Sequence, residues 1–501
     1  MLCGAFAVVN PSRAQPPPQV TVTAGTLVGR PDGGGGALFL GVPYAAPPIG
    51  ELRWRAPRRP APWNGVRQAT HEPPACPQSN FGWNAGAARH QSENCLYLDI
   101  HTPSLAPKRL LPVLVWVHGG SNLAGAAAGV VDTDLVKRGI VVVAIQYRLG
   151  VFGFLSTPAL SAEQGGHSGN YGLMDQLRAL QWVHDNIAKF GGDPTRVTIG
   201  GQSAGAMDVG LITLFYGSAH LFARTWAAGG VPTFGEPVRS LSESEAIGVR
   251  LESILGTGDD LARLRNLPAR KLVAAAGELH NAPTFDACCY LWLQATVDGK
   301  VVPTSPETAL ARGIRDAVPY VLLTNRIELP VPGGTKSIIP RLRQVFGIRT
   351  ADVERFYGVN GGVTATDARG YTYGTLAQRI GTDTSFRCPA NYVLDRYTAH
   401  GARAWRAEAS VEEAHRLSHH GAALPYLFRD LPLGRASSKV TLQAYFANFI
   451  KDGNPNAASL PVWPRYSSPS REYAEFSYGG VSVGARLGGA ICRLYDESRS
   501  K

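Results

Sequence analysis

Four continuous apolar runs limit the fold of this chain more than any other feature of its sequence. In chain order they are Leu111 to Val117 (LPVLVWV), Ile140 to Ile145 (IVVVAI), Val197 to Ile199, and Val318 to Leu323 (VPYVLL). Runs of this kind, without alternating polar residues, are typical of strands that are buried on both faces. They predict a sheet with a layer of structure on each side.

The segment between the second and third runs has the period of an amphipathic helix. Its apolar residues recur three or four positions apart, at Leu173, Leu177, Leu180, Val183 and Ile187. That spacing places them on one helical face. Buried strands that alternate with such helices predict an α/β fold, with a large, mostly parallel sheet flanked by helices. Because ligands of these folds gather at the carboxyl ends of the strands, we expect the functional residues directly after the strands.

The composition is that of a globular protein with a large core, since 44% of the 501 residues are hydrophobic and 17% are charged. Neither an internal repeat nor a long linker divides the chain, so we predict a single domain from residue 19 to residue 501. No apolar run approaches the roughly 20 residues of a membrane-spanning helix. A transmembrane segment is therefore not expected.

The first 18 residues have a different character. A short apolar stretch from Leu2 to Val9 precedes Ser12, Arg13 and Ala14, which include the small residues that a signal peptidase accepts. The basic opening of a secretory signal is missing. We interpret residues 1–18 as a truncated signal segment and expect an exported protein, periplasmic or secreted. A frayed apolar end is the alternative.

The chain carries 49 Lys and Arg against 38 Asp and Glu, which gives a formal net charge of +11. These cations are scattered along the chain, and no nucleic-acid-binding motif accompanies them, so a nucleic-acid partner is not expected. The excess of positive charge favours acidic or neutral substrates over cationic ones.

Two segments fit the Gly-x-Ser-x-Gly pattern, which exposes a nucleophilic serine on a tight turn between a strand and a helix. Ser203 (GGQSAG) follows RVTIGG and precedes AGAMDVGLITLF, a stretch that can continue as a helix, whereas no helix is expected after Ser482 (GVSVG). The fold that uses this turn orders its triad as serine, acid and histidine, and the last histidine of the chain is His420. Because Ser482 has no base downstream, Ser203 is the predicted nucleophile.

A serine nucleophile needs an imidazole to accept its proton and a carboxylate to orient that imidazole. His419 and His420 stand together in SHHGAALPYLF. The alternative for this region is a metal-binding pair of His415 and His419, for which no third ligand has a convincing spacing. Glu328 comes directly after a buried run and is favoured as the acid over Asp298, which is equally typical of a turn.

The loop WVHGGSNLAG follows the first apolar run directly and is rich in small residues, as a loop of oxyanion-binding amides would be. A plain glycine turn is the alternative. Cys76 and Cys95 enclose a polar, glycine-rich loop of the kind that disulfides close, or they are two free thiols. The remaining cysteines show no paired zinc-ligand spacing and are assigned no function: Cys3, Cys288, Cys289, Cys388 and Cys492.

In these segments the chain resembles the type-B carboxylesterases of the α/β-hydrolase fold, which include cholinesterases and para-nitrobenzyl esterase-like enzymes. The resemblance runs from about Val20 to Tyr466. Its landmarks are FLGVPYAAPPIGELRW, SENCLYLDIHTP, YRLGVFGFL, GNYGLMDQLRALQWVHDNIAKFGGDPTRVTIGGQSAGA, PYVLLTNRIE, HGAALPYLF and FIKDGNPN with WPRY. It implies a small N-terminal antiparallel sheet beside the large one. It also implies a serine ester hydrolase that forms an acyl-enzyme with a small-molecule ester and needs no metal or organic cofactor.

The resemblance also implies roles for individual residues. Ser203 corresponds to the nucleophile, Glu328 to the triad acid, and His420 to the base, because the family's histidine lies five residues before the proline that is Pro425 here. The implied oxyanion donors are the backbone amides of Gly120, Ser121 and Ala204. A loop disulfide between Cys76 and Cys95 is implied as well. The implied structural ion pairs are Arg53 with Glu93 and Arg148 with Asp175.

The sequence departs from the family pattern close to these residues. Ser121 stands where many members have glycine or alanine, and Asp208 replaces a small serine behind the nucleophile, for which the sequence offers no physical account. Further changes that alter the pocket rim are at Ile327, Leu329 and Ala423. Gln202 replaces the glutamate of cholinesterases and many carboxylesterases. Because this change removes a negative charge, we expect neutral or hydrophobic esters as substrates.

Two other functions are open to a chain of this kind. The family resemblance also covers adhesion proteins that have lost the serine, and the intact set of Ser203, Glu328 and His420 argues against such a non-catalytic binding protein. The same chemical steps would also cleave a lactone or an amide. Trp83, inside the loop between Cys76 and Cys95, is either part of the pocket wall or a packing residue.

Overall fold

A computed structural model describes residues 16–232, 238–279, 294–314, 317–359, 374–411, 418–434 and 440–499 of the protein. Within these ranges the strands are β1 (Gln19–Val22), β2 (Gly25–Val28), β3 (Arg30–Pro31), β4 (Ala37–Pro43), β5 (Val66–Gln68), β6 (Tyr97–Thr102), β7 (Leu111–Val117), β8 (Val141–Ile145), β9 (Gly192–Gln202), β10 (Arg224–Ala228), β11 (Arg239–Ser240), β12 (Thr296–Val297), β13 (Tyr320–Asn325), β14 (Ala404–Ser410), β15 (Glu472–Ser477) and β16 (Gly480–Ala485).

The α-helices in the same ranges are α1 (Ala85–Arg89), α2 (Gly150–Phe154), α3 (Pro158–Glu163), α4 (Tyr171–Asn186), α5 (Ala204–Tyr216), α6 (Leu241–Leu255), α7 (Leu261–Asn266), α8 (Ala269–Gly277), α9 (Pro306–Arg312), α10 (Ile338–Phe346), α11 (Thr350–Tyr357), α12 (Leu376–Thr382), α13 (Cys388–Ala399), α14 (Leu424–Phe428), α15 (Leu442–Asp452) and α16 (Gly489–Ser498). A π-helical segment, Asp383–Arg387, joins α12 to α13.

Among the described residues, eleven strands form the large sheet in the order β16-β15-β14-β13-β10-β9-β7-β8-β6-β4-β3. The run from β15 to β8 is parallel, and antiparallel strands extend it at both edges. The first apolar run forms β7 with the bounds that the sequence predicts, and the second and fourth overlap β8 and β13, which begin one and two residues later than those runs. The third is only the middle of β9. This mixed sheet with a parallel centre confirms the predicted α/β-hydrolase fold.

The central strands show why a continuous apolar run is needed. Successive side chains of a strand point to opposite faces of the sheet. In β7, Val113, Val115 and Val117 belong to one apolar cluster, whereas Leu114 and Trp116 belong to another. Each face of the sheet therefore has its own apolar layer. Helix α4 packs its apolar face into the first of these clusters, as its periodicity predicts.

The small N-terminal sheet consists of β1, β2 and β5. Strands β1 and β2 are antiparallel, as expected, but β5 pairs with β2 in parallel, so the sheet is mixed. The connection from β2 to β5 includes β3 and β4, and it is long enough to bring the third strand back in the same direction. The proposed signal segment lies almost wholly outside the described residues, and β1 begins at Gln19. None of the described helices is both long and apolar enough to cross a membrane.

Two disulfides link distant parts of the described chain. Cys76 pairs with Cys95, as the resemblance implies, and their Cα atoms are 5.0 Å apart. Cys388 pairs with Cys492 and joins α13 to α16, with Cα atoms 4.8 Å apart. From the sequence, Cys388 and Cys492 are assigned no function, and the structure corrects this because the two cysteines form a disulfide. Its members are 104 residues apart in sequence, so no local pattern connects them.

The two implied ion pairs are present. The guanidinium of Arg53 donates to Glu93 at 2.5 and 2.7 Å, and that of Arg148 donates to Asp175 at 2.7 Å through two nitrogens. Burial raises the pKa of Asp175, whereas Arg148 lowers it. Arg53, Arg148 and Asp175 are buried, and the Glu93 side chain is 14% exposed.

Candidate active site

Ser203 lies on a sharp turn between β9 and α5. Its backbone torsions, φ 57° and ψ −124°, are rarely adopted by residues other than glycine. The turn brings backbone segments into close contact. A methyl group on Gly201 would lie 2.3 Å from the carbonyl oxygen of Gly205, and one on Gly205 would lie 2.3 Å from that of Val117. These contacts explain why both glycines of the pattern are needed.

The structure brings Ser203, His420 and Glu328 together in one hydrogen-bonded line. The Ser203 Oγ lies 2.8 Å from His420 Nε2, and His420 Nδ1 lies 2.5 Å from Glu328 Oε2. Since a carboxylate only accepts, Nδ1 carries the proton of the neutral imidazole and Nε2 is free to accept one from the serine. Ser203 and Glu328 are buried, and the His420 side chain is 16% exposed. The arrangement is that of a nucleophile, a base and an orienting acid.

Glu328 is held from several directions. The backbone N–H of Asn325 donates to Glu328 Oε1 at 2.6 Å, and the Asn325 side-chain amide lies 3.2 and 3.3 Å from the two carboxylate oxygens. The Glu328 N–H donates to Thr382 Oγ1 at 2.9 Å. The Asn325 Oδ1 accepts from the N–H of Ala423, which follows His420 closely in the chain. Asn325 therefore connects Glu328 to the segment that carries His420.

The loop after β7 lies against Ser203. A methyl group on Gly119 would come within 2.9 Å of Ser203 Cβ. Gly120, Ser121 and Asn122 all have positive φ, at 104°, 59° and 57°. Within the described ranges, the amides of Gly120 and Ser121 donate to no protein acceptor. These two N–H groups thus belong to the loop beside Ser203 and have no hydrogen-bond acceptor among the described residues.

Two further groups complete the surroundings of that loop. Ala204 is the first residue of α5, so its N–H has no acceptor inside the helix and is oriented like the positive end of a helix dipole. His118 donates from Nδ1 to the carbonyl of Gly119 at 2.8 Å, and burial lowers the pKa of His118 to about 4. The ring is therefore neutral at neutral pH and stabilises the loop as a hydrogen-bond donor.

Gln202 and Phe386 contact the imidazole from the sides. The Gln202 Nε2 lies 3.1 Å from His420 Nε2, and the rings of Phe386 and His420 are 5.4 Å apart between centroids. Trp83 lies beside Gly120, since a methyl group on that glycine would be 3.0 Å from its ring. Its side chain is nevertheless 66% exposed, so Trp83 borders the site rather than packing in the core.

The other candidates lie elsewhere. Ser482 is exposed in the edge strand β16, and the helix that does follow it, α16, begins only after a loop at Gly489. Asp298 accepts from the backbone N–H groups of Lys300, Val301 and Val302 at 3.1, 2.9 and 2.9 Å, as a turn aspartate does. His419 is exposed, and His415 lies outside the described residues. So do Cys3, Cys288 and Cys289.

Several residues that support the site have no clear signal in the sequence. Asn325 stands three residues before Glu328, and a short polar side chain there is a weak local sign of a turn. Thr382 ends α12, and Phe386 comes from the π-helical segment after it. Both reach the site through tertiary structure alone. Such π-helical segments are frequent at functional sites.

A parallel sheet with these side chains at its carboxyl edge defines an α/β-hydrolase with a serine-hydrolase arrangement of residues. Comparison with known proteins specifies the family. Residues 16–331 and 352–494 match the carboxylesterase family. The chain belongs to this family and is a carboxylic ester hydrolase.

Individual relatives agree with this assignment. The chain is 32% identical over 459 residues to the fumonisin B1 esterase of Sphingopyxis macrogoltabida, covering 85% of this chain and 81% of that protein. It is 30% identical over 455 residues to the para-nitrobenzyl esterase of Bacillus subtilis, covering 87% and 90%. A solved PNB esterase structure superposes with a TM-score of 0.81 at 26% identity, over 95% of this chain and 99% of that chain.

Proposed function

We propose that this enzyme hydrolyses neutral or hydrophobic carboxylic esters through an acyl-enzyme on Ser203. The line from Ser203 Oγ through His420 to Glu328, with distances of 2.8 and 2.5 Å, carries this proposal. Ser203 attacks the ester carbonyl while His420 Nε2 accepts its proton. Glu328 keeps the proton of the neutral His420 ring on Nδ1 and stabilises the imidazolium that forms. His420 then gives the proton to the departing alcohol. Water next attacks the acyl-enzyme while His420 accepts its proton, and His420 returns that proton to Ser203 Oγ as the carboxylic acid leaves.

The proposed oxyanion hole consists of the backbone amides of Gly120, Ser121 and Ala204. Its two loop amides are without a described acceptor, and the third begins a helix. Such donors contribute most when they are fixed before charge develops on the carbonyl oxygen. Ser121 serves as a backbone donor, so its replacement of glycine or alanine is compatible with this role.

The preference for uncharged esters rests on the surroundings of His420. Gln202 provides an amide rather than a carboxylate beside the imidazole, and Trp83 offers an exposed aromatic surface next to Gly120. The neutral amide lacks the negative charge that would attract a cation, and the aromatic surface offers contact area to apolar or aromatic groups. The names of two relatives, fumonisin B1 esterase and para-nitrobenzyl esterase, supply the first esters to try.

We also propose that residues 19–501 are one domain and that the enzyme is exported to the periplasm or secreted. The two disulfides support export, because disulfides persist in oxidising compartments. A signal segment at residues 1–18 is part of this proposal.

A substrate panel tests the proposed function. Purified enzyme is given para-nitrobenzyl and para-nitrophenyl esters of increasing acyl length, fumonisin B1, a choline ester, a lactone and an anilide, and kcat/KM is measured for each. We expect the highest values with neutral esters. Higher values with the lactone or the anilide would contradict the substrate class, and no turnover of any compound by folded protein would favour a binding protein.

A further inference from the structure

Asp208 lies fully buried on α5, one turn after Ala204 on the same side of the helix. Its carboxylate accepts two side-chain hydrogen bonds. Gln176 Nε2 donates to Oδ2 at 2.6 Å, and Asn122 Nδ2 donates to Oδ1 at 3.1 Å. Asp208 thus joins three elements that are distant in sequence: α4, α5 and the loop after β7.

Asn122 is the residue that follows the proposed donors Gly120 and Ser121. It is completely buried, and its φ of 57° is in the left-handed region, which asparagine tolerates better than most residues. Its Oδ1 lies 3.0 Å from the hydroxyl of Tyr147, and its carbonyl accepts from the N–H of Gly150 at 2.6 Å. The side-chain amide of Asn122 is therefore fixed at both ends.

The position of Asp208 is unfavourable for a carboxylate. Within the described ranges it forms no ion pair, and its two partners are neutral amides. Burial raises its pKa to about 7, and the hydrogen bonds from Gln176 and Asn122 only partly offset this. Ionisation of Asp208 therefore costs folding stability, so its carboxylate form does not stabilise the fold.

We infer that Asp208 is a positioning residue that fixes the oxyanion loop relative to α5 through Asn122. This inference rests on the proposed roles of Ser203 and the oxyanion amides. Two of those amides, from Gly120 and Ser121, come from the loop, and the third comes from Ala204 at the start of the helix. The distance between the two parts decides whether all three can point at one oxygen atom. The hydrogen bond between Asn122 and Asp208 is the side-chain link between them.

The test combines two single variants and their double. Asp208→Ala removes the acceptor, and Asn122→Gly removes the tether while keeping the positive φ without strain. For each protein we would measure kcat, KM and the affinity for a trifluoromethyl ketone, which mimics the tetrahedral intermediate. We expect each variant to lose about 10- to 100-fold in kcat and in ketone affinity, with KM changed less than about threefold. In the double variant, kcat and ketone affinity should be at most about threefold lower than in the more impaired single variant.

Two controls separate positioning from folding. Asp208→Asn keeps one acceptor oxygen for the Asn122 amide, and its new NH₂ group can donate to Gln176, whose amide can turn its Oε1, unpartnered in the described structure, toward it. This variant should therefore recover most of the kcat lost in Asp208→Ala. Thr213→Val removes a buried hydroxyl on the same helix, which bonds Val209 and Thr225 away from the loop. It should lower stability and leave kcat and ketone affinity unchanged.

Three results would overturn the inference. The first is an unchanged kcat in both single variants. The second is a loss of kcat in the double variant that equals the product of the two single losses. The third is a loss of kcat in Thr213→Val as large as that in Asp208→Ala or Asn122→Gly. If Asp208→Ala fails to fold, Asn122→Gly alone decides, because it must still lose kcat and ketone affinity together.

Ser203→Ala is measured alongside these variants. If Ser203→Ala keeps full activity, the proposed function fails. If activity depends on Ser203 but Asn122→Gly has no effect, only the role of Asp208 is disproved.

Discussion

The side-chain nitrogen of Gln202 lies 3.1 Å from Nε2 of His420, the same nitrogen that faces the Ser203 hydroxyl 2.8 Å away. The amide N–H and the serine hydroxyl therefore compete for one lone pair. No negative charge stands at this position. Both consequences, on charge preference and on the availability of the base, can be tested by changing one residue.

Gln202→Glu should raise activity on cationic esters relative to neutral ones. The added carboxylate attracts a cation and stabilises the imidazolium, so we expect the ratio of kcat/KM for butyrylthiocholine over a neutral butyrate thioester to rise roughly 3- to 10-fold at low salt. The acid limb of the pH profile should also move to higher pH, because the base must be neutral to act.

Gln202→Met is the matched control for this change. It loses the amide N–H but adds no charge. The ratio of kcat/KM for butyrylthiocholine over the neutral thioester should therefore stay at the wild-type value. A wild-type preference for the choline ester, or an equal rise of the ratio in the methionine variant, would disprove the electrostatic account of Gln202.

Glu328→Gln should leave the fold intact and reduce kcat severely. The amide can donate to Nδ1 and so favours the tautomer that has its proton on Nε2, the wrong one for accepting the proton of Ser203. We expect a loss on the order of 10⁴-fold in kcat, with KM little changed. Steady-state kinetics on a para-nitrophenyl ester measures this. A loss below about tenfold would show that Glu328 does not orient His420.

The two disulfides should differ in their contribution to stability. In the chain-entropy account, the bond between Cys76 and Cys95 stabilises by ~3 kcal/mol, and the bond between Cys388 and Cys492, which closes a longer segment, by ~5 kcal/mol. The separations are 19 and 104 residues. Denaturant unfolding of the two double serine variants compares the two contributions directly.

Reducing agent should lower the thermal midpoint of the wild type. Equal midpoints in reduced and oxidised protein would contradict this expectation.

Asp208 should make stability depend on pH. Its pKa is about 7 in the folded protein against an ordinary value of 3.8, so the folded state binds the proton more tightly. The stability present below about pH 4 is lost as pH rises towards 7, by on the order of 4 kcal/mol. Asp208→Asn cannot ionise and should gain stability relative to the wild type over this window. Parallel pH profiles of the unfolding free energy for the two proteins would contradict this.

Much of this fold could be predicted because its strongest signals are local. β7 and β13 are continuous apolar runs, and the turn at Ser203 needs glycines at fixed spacing. Long-range features gave no such signal. The parallel pairing of β5 with β2, the bond from Cys388 to Cys492, and the contact of Phe386 with His420 depend on how remote segments meet.

Asp208 illustrates the same limit within the site. Its replacement of a small residue was visible in the sequence, but its partners Gln176 and Asn122 lie 32 and 86 residues away. Only the packed structure shows that a buried carboxylate there meets two amides. By contrast, chain order favours Ser203 over Ser482, a position after a strand favours Glu328 over Asp298, and the family's spacing to Pro425 selects His420.

The central claim is that Ser203 is the nucleophile, and mapping a fluorophosphonate adduct tests it most directly. Wild-type enzyme, Ser203→Ala and Ser482→Ala are treated with the probe, and the modified residue is located by peptide mass while hydrolysis of a para-nitrophenyl ester is followed. We predict an adduct on Ser203 in the wild type and in Ser482→Ala, both fully active. Ser203→Ala should be folded, unlabelled and slower by several powers of ten. An adduct at another residue, or an active Ser203→Ala enzyme, would contradict the account.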